Sequence, residues 1–219
     1  MVDVFLRWRE PAVRLLSRAV PGDVLWFVET AEPVFGLTFD DGPHPQTTPG
    51  LLAVLRRHRA KATFFLVGER IKANPHVVEQ IVAEGHEVAN HLMRDERSVL
   101  VPDEQFEREL AETSRLLAAY GPVRWFRPGS GFYKPRMLRA AAGQNLRAVL
   151  GTVVAANTGG PGDAAIAGGL ATSVRKGSIV VLHEGTEKRR GVVATTDELL
   201  TALAGRGLTA VTVSELVAG

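Results

Sequence analysis

The chain has 219 residues, with 26 lysines and arginines against 24 aspartates and glutamates and a formal net charge of +2. That near balance gives no argument for a nucleic-acid partner, and the length suits one domain with a sizeable core. The absence of cysteine excludes disulfides, thiolate metal sites and a cysteine nucleophile.

The N-terminal stretch is interrupted by Arg7, Arg9, Glu10 and Arg14, which does not fit a secretory leader. No apolar run reaches the ~20 residues a membrane-spanning helix needs. Leu6, Val13, Leu16 and Val20 fall near one face of a short amphipathic helix. Residues 1–30 are read as an extension packed on a domain spanning 31–219, and a cytoplasmic location is the default expectation. Asp23 to Thr30 reads as a strand or its lead-in.

Val34 to Phe39 is a strand by its β-branched and aromatic content. Gly42-Pro43 ends it, because proline lacks the amide a ladder needs. Asp40 and Asp41 therefore stand at the C-terminal mouth of a buried strand. Two like charges there cost free energy unless a metal, a proton or an arginine offsets them. The alternative is a solvated pair bonding local turn amides.

Thr48 reads as an N-cap with Pro49 at the first helical position, opening a helix to about Arg59. Ala62 to Val67 is the next strand, closed by Gly68. Asn74-Pro75 opens a helix that Gly85 ends, and "HEVANH" follows as a short strand and loop. Asp103 to Tyr120 is a helix with Phe106, Leu110, Thr113 and Leu117 near one face. Val123 to Arg127 is a strand, "GSGFY" a glycine-rich loop, and Pro135 to Gln144 a helix. Arg147 to Ala156 contains an apolar strand. Gly159 to Asp163 is a loop, and Ala164 to Arg175 a helix. Ser178 to Leu182 is a strand ending at His183, Thr196 to Gly205 the last helix, and Leu208 to Val213 the last strand. This alternation implies mostly parallel strands with right-handed crossovers. Periodicity does not choose between an open sheet and a barrel.

Four polar clusters follow apolar runs: Asp40-Asp41, His86 to Asp95, Arg127 and His183-Glu184. Strand ends on one side of a parallel sheet meet in space. His91 and Asp95, four apart, share a face if the segment coils. With Asp40 or Asp41 they would offer one imidazole and two carboxylates, a set suited to Zn and also to Mn, Co, Ni or Fe. Local hydrogen bonding explains most such pairs equally well. His86 would orient the segment through a backbone bond. Arg127 carries a fork able to grip a carboxylate at two points, and His183 can serve as a general acid.

These motifs resemble the polysaccharide deacetylase family, the NodB-homology domain of carbohydrate esterase family 4. "TFDDGP" at Thr38 to Pro43 is similar to the family's first motif and "GHEVANH" at Gly85 to His91 to the approach to its second. "FRPGSGFY" at Phe126 to Tyr133 resembles the third, and "SIVVLHEG" at Ser178 to Gly185 the last. The resemblance implies an α/β fold, a distorted (β/α) barrel of about seven parallel strands with irregular closure. It implies a metal-dependent hydrolase removing acetyl groups from an N-acetylated carbohydrate, such as a chitooligosaccharide or a peptidoglycan fragment. Asp40 would be the base, Arg127 would hold it, and His183 would be the acid. Asp41 and His91 would bind one divalent ion, most simply Zn, with Co, Mn or Ni as alternatives.

Two positions depart from the family pattern. The third ligand is usually a histidine, and here it is Asp95. An aspartate-tryptophan pair usually precedes the last site strand, and here Asn157 and Thr158 fall near those positions. Asn157, or the nearby Asp163, would then orient His183. Gly131 and Tyr133 would supply a loop amide for the oxyanion and part of the sugar pocket. These departures keep two alternatives open: hydrolysis of another small amide, or a catalytically weak glycan-binding relative.

Overall fold

The computed structural model describes residues 13–15, 22–155 and 164–219. Asn157 and Asp163 lie outside them, as does most of the expected N-terminal helix, of which Val13 to Leu15 are helical.

Among the described residues, nine strands form one sheet: β1 (Val24–Leu25), β2 (Val34–Gly42), β3 (Thr63–Leu66), β4 (Glu87–Asn90), β5 (Trp125–Phe126), β6 (Arg147–Val149), β7 (Val153–Val154), β8 (Ile179–His183) and β9 (Thr209–Val211). The order is β1-β6-β5-β4-β3-β2-β8-β7, with β9 added beside β2. Every ladder is parallel. The sheet curls into a half-barrel. The count exceeds the about seven that the family resemblance implies, because a short lead-in strand joins the sheet and one apolar run holds two strands. The lead-in contributes only β1, and the run from Arg147 to Ala156 breaks at Gly151 into β6 and β7. A Cβ on Gly151 would lie 2.3 Å from Val181 Cγ2, so the chain crosses over β8 where no side chain fits.

The helices are α1 (Thr47–His58), α2 (Gly68–Ala73), α3 (Pro75–Ala83), α4 (Asp103–Leu117), α5 (Pro135–Gly143), α6 (Ala164–Ser173), α7 (Val192–Ala204) and α8 (Val213–Ala218). The sequence reading missed α2 and α8. Gly68 begins a helix rather than only closing β3. α8 carries a complete capping box, with Thr212 accepting from the Glu215 amide and Glu215 answering to the Thr212 amide. Thr48 is not the cap of α1; Gln46 holds that position, and Thr48 turns its hydroxyl inward.

β2 is central and buried on both faces from Phe35 to Gly42, as expected for a parallel strand covered on both sides. Outside it, Phe35, Leu37 and Phe39 pack in one cluster with Leu51, Leu55, Leu170 and Leu199 from the surrounding helices. Inside, Phe65, Ala89, Trp125, Val149 and Ile179 meet Val213 and Leu216 of α8. α8 sits at the N-terminal ends of the strands: the Val213 amide donates to Thr63 Oγ1, and Trp125 Nε1 donates to Ser214 Oγ. That end is closed, and the C-terminal ends are left to form a cleft.

Candidate active site at the C-terminal ends of the strands

Adjacent strand residues normally point to opposite faces. Asp40 and Asp41 escape that rule through a bulge. Asp40 pairs with Phe65 and Gly42 with Leu66, so Asp41 is the extra residue. Its φ is 67°, in the left-handed region that aspartate tolerates better than most. Both carboxylates are buried and both line the same cleft.

Asp40 belongs to the deeper half. Arg127 Nη1 donates to Asp40 Oδ1 at 2.5 Å and to Thr38 Oγ1 at 2.8 Å, while Nε donates to the Val149 carbonyl at 3.0 Å. The guanidinium lies 4.0 Å from the centre of the Phe65 ring, a favourable cation–π placement. The expected two-point fork is not made: Nη2 has no hydrogen-bond partner. The second Nη1 partner is instead Thr38, whose hydroxyl donates to the Val180 carbonyl at 2.7 Å. Thr38 was overlooked in the sequence, although its place two residues before Asp40 puts both on one face. His183 Nε2 stands 3.9 Å from Asp40 Oδ2, and its Nδ1–H donates to the Ala155 carbonyl at 2.9 Å.

Asp41 belongs to the outer half. Its Oδ1 lies 3.1 Å from His91 Nε2. His91 Nδ1–H donates to the Arg127 carbonyl at 2.8 Å, which aims Nε2 at the carboxylate. Burial opposes charge on His91, but Asp40 and the hydrogen-bonded Asp41 outweigh it and raise its pKa above the ordinary value. Burial also opposes charge on Asp41, yet the bond and charge of His91, with His183 and Arg189 nearby, hold its carboxyl well below the usual range. Arg189 Nη1 donates to Asp41 Oδ2, and Arg70 Nη1 to the Asp41 carbonyl.

Asp95 does not share a face with His91, because the segment after β4 is not helical; Leu92 turns with φ 64° and residues 93–96 form a bend. Asp95 is instead 41% exposed, with Oδ2 3.0 Å from Arg70 Nη2. Asp41 and His91 offer two converging donors. Among the described residues, no group of three or more His, Cys, Asp or Glu is arranged to hold a metal ion. A tightly held zinc takes three or four protein ligands, so these residues do not fit such an ion.

The glycine-rich loop after β5 brings Gly131, Phe132 and Tyr133 to the cleft. The Tyr133 hydroxyl has no hydrogen-bond partner among the described residues, and Phe132 is 69% exposed. Trp26, one residue beyond β1, lines the same cleft, a cavity of about 770 Å³. Trp26 was also missed; its strand is only two residues long. His86 makes no backbone bond through its ring: Nδ1 is without a partner, the ring tilts against Phe64, and burial lowers its pKa to about 4.

Glu184 lies fully buried behind the Asp pair. Its Oε2 accepts from Thr47 and Thr48 at 2.9 and 2.7 Å, and Oε1 has no partner. Burial raises its pKa to about 7, against the opposing effect of the two threonine hydroxyls.

Fold and cleft together define a (β/α) half-barrel protein with a buried carboxylate–arginine–histidine centre at its strand ends. The sequence profile of polysaccharide deacetylases matches residues 27–149. A peptidoglycan-N-acetylglucosamine deacetylase of Bacillus cereus is 34% identical over 200 residues, covering 90% of this chain and 93% of that protein. A chitooligosaccharide deacetylase of Sinorhizobium fredii is 37% identical over 191 residues, covering 81% and 89%. Among solved structures, a mutant of BA3943, described as a CE4 family pseudoenzyme with restored enzymatic activity, superposes with a TM-score of 0.81 at 26% identity, over 91% of this chain and 72% of that one. The chain belongs to the polysaccharide deacetylase family.

Proposed function

We propose that the chain binds an N-acetylated carbohydrate in the cleft and hydrolyses its acetamide only weakly, as a glycan-binding relative of the deacetylases. One observation carries this reading: the Asp40–Arg127–His183 group is assembled, while the third ligand position holds Asp95, paired with Arg70. The substrate class is supported by the names of the relatives, which act on peptidoglycan N-acetylglucosamine and chitooligosaccharides.

In this reading Asp40, fixed by Arg127, accepts a proton from a water placed over the acetyl carbon. His183 donates a proton to the leaving nitrogen. The Tyr133 segment with Gly131 faces the developing oxyanion. Trp26 and Phe132 offer aromatic faces for a sugar ring. Where the family uses a divalent ion to polarise the carbonyl, this chain has two donors, Asp41 and His91, and turnover is correspondingly slow. Asn157 lies outside the described residues and keeps its proposed place near His183. No helix among the described residues is long and apolar enough to cross a membrane.

The test combines glycan binding with acetate release. Titration of N-acetylated chitooligosaccharides by calorimetry should show binding, and acetate release with added Zn²⁺ or Co²⁺ should be slow. Asp95→His should raise release without changing glycan affinity more than about twofold. Fast release by the unaltered chain, or no glycan binding at all, overturns the proposal.

A further inference from the structure

Three aspartates in the cleft each carry an arginine. Arg127 holds Asp40, Arg70 holds Asp95, and Arg189 holds Asp41. The third pair is the unexpected one. Arg189 closes a short 3-10 turn, Glu187–Arg189, between β8 and α7. Its Nη1 donates to Asp41 Oδ2 and, at 3.0 Å, to the Glu184 carbonyl. His91 takes the other oxygen, Oδ1. The carboxylate that the family presents to a metal is thus saturated by two side chains of the protein.

The arrangement is built into the backbone. Arg70 reaches the Asp41 carbonyl through the space beside Gly185. A Cβ on Gly185 would lie 2.3 Å from Arg70 Nη1 and 2.1 Å from the Asp41 oxygen, and its φ of 86° also favours glycine. A divalent ion placed between Asp41 and His91 would face the Arg189 guanidinium at close range, and like charges in a partly buried site repel strongly.

We infer that Arg189 is the resident cation of this site, occupying Asp41 where relatives would seat a metal, and that a divalent ion enters only as Arg189 leaves. Arg189 has room to leave: its side chain is 29% exposed, whereas that of Asp41 is 5% exposed. The inference rests on the reading that the ligand half is incomplete, and it adds the reason that half is stable without an ion. It predicts competition between a side chain and a metal for one oxygen.

Direct titration with Co²⁺, followed by its visible absorption and by competition with a chelator, tests this without any turnover. Arg189→Ala should bind Co²⁺ at least about tenfold more tightly than the unaltered chain, a change of about 1.4 kcal/mol. Arg190→Ala, which removes an exposed neighbour paired only loosely with Glu187, should bind as the unaltered chain does. Arg189→Gln serves if the alanine variant does not fold. The gain should vanish when Asp41→Asn is added, because the contested oxygen is then neutral. Equal Co²⁺ affinity with and without Arg189, or a gain that survives Asp41→Asn, overturns the inference. Glycan binding is unaffected by either result, so failure here leaves the weak-deacetylase reading standing.

Discussion

The two halves of the cleft begin from neighbouring residues of one strand and end in opposite states. Around Asp40 the arginine pair is enclosed: the Arg127 and Asp40 side chains are 3% and 5% exposed, and only His183, at 21%, opens to the cleft. Arg127 also donates to Thr38 and to the Val149 carbonyl of β6, and Thr38 in turn donates to the Val180 carbonyl of β8. Around Asp41 the carboxylate and His91 are equally buried, but the arginines reach it from outside. Arg189 and Arg70 are 29% and 23% exposed, and Asp95 is 41% exposed. Charge pairs in the first setting have no solvent to fall back on, whereas those in the second do. The Asp40–Arg127 pair is therefore part of the core, and the arginines around Asp41 form an adjustable rim.

Arg127→Ala is expected to break the comparison hardest. It strands Asp40 in the core and should cost about 3 to 5 kcal/mol of stability in urea denaturation. A loss below about 1 kcal/mol would mean that the buried half is no more rigid than the rim. Glu184→Gln comes next. In the folded chain Glu184 titrates at about 7, against an ordinary value of 4.5. Between those values the folded state keeps a proton that the unfolded state has released. This contribution is full below the lower value and is lost as pH rises through the upper one, amounting to about 3 kcal/mol. Stability measured across that window should fall less steeply in Glu184→Gln; an unchanged slope would place the titration elsewhere.

Thr38→Val sharpens the comparison on the buried side. It removes the hydroxyl that links Arg127 to Val180, at an expected cost of about 1 to 3 kcal/mol, read by thermal unfolding. Asp95→Ala probes the rim and should change stability by less than about 1 kcal/mol. It should also leave metal content unaltered, since Asp95 is held by Arg70. A drop in bound Zn²⁺ in that variant would restore Asp95 as a ligand.

Much of this site was legible in the sequence because chemistry clusters at the ends of apolar runs. Asp40, Asp41, His91, Arg127 and His183 each follow a run rich in β-branched or aromatic residues, and parallel strands bring such ends together. Asp95 misled because its four-residue spacing from His91 has meaning only on a helix, and Leu92 turns the chain the other way. Trp26 and Thr38 gave weaker signals, one just past a two-residue strand and the other inside an apolar run. Arg189 gave none, since it is one of three consecutive basic residues on a loop.

The sequence by itself determined the parallel β/α alternation, the family and which polar residues stand at the strand ends, because period and turn chemistry are local. Only the tertiary structure decided how the two aspartates are used. The bulge at Asp41 turns both carboxylates into one cleft. The fold of the β8–α7 connection then lays Arg189 across the second one. A contact between residues 148 positions apart leaves no trace in spacing or composition; it follows from where the curled sheet places two loops.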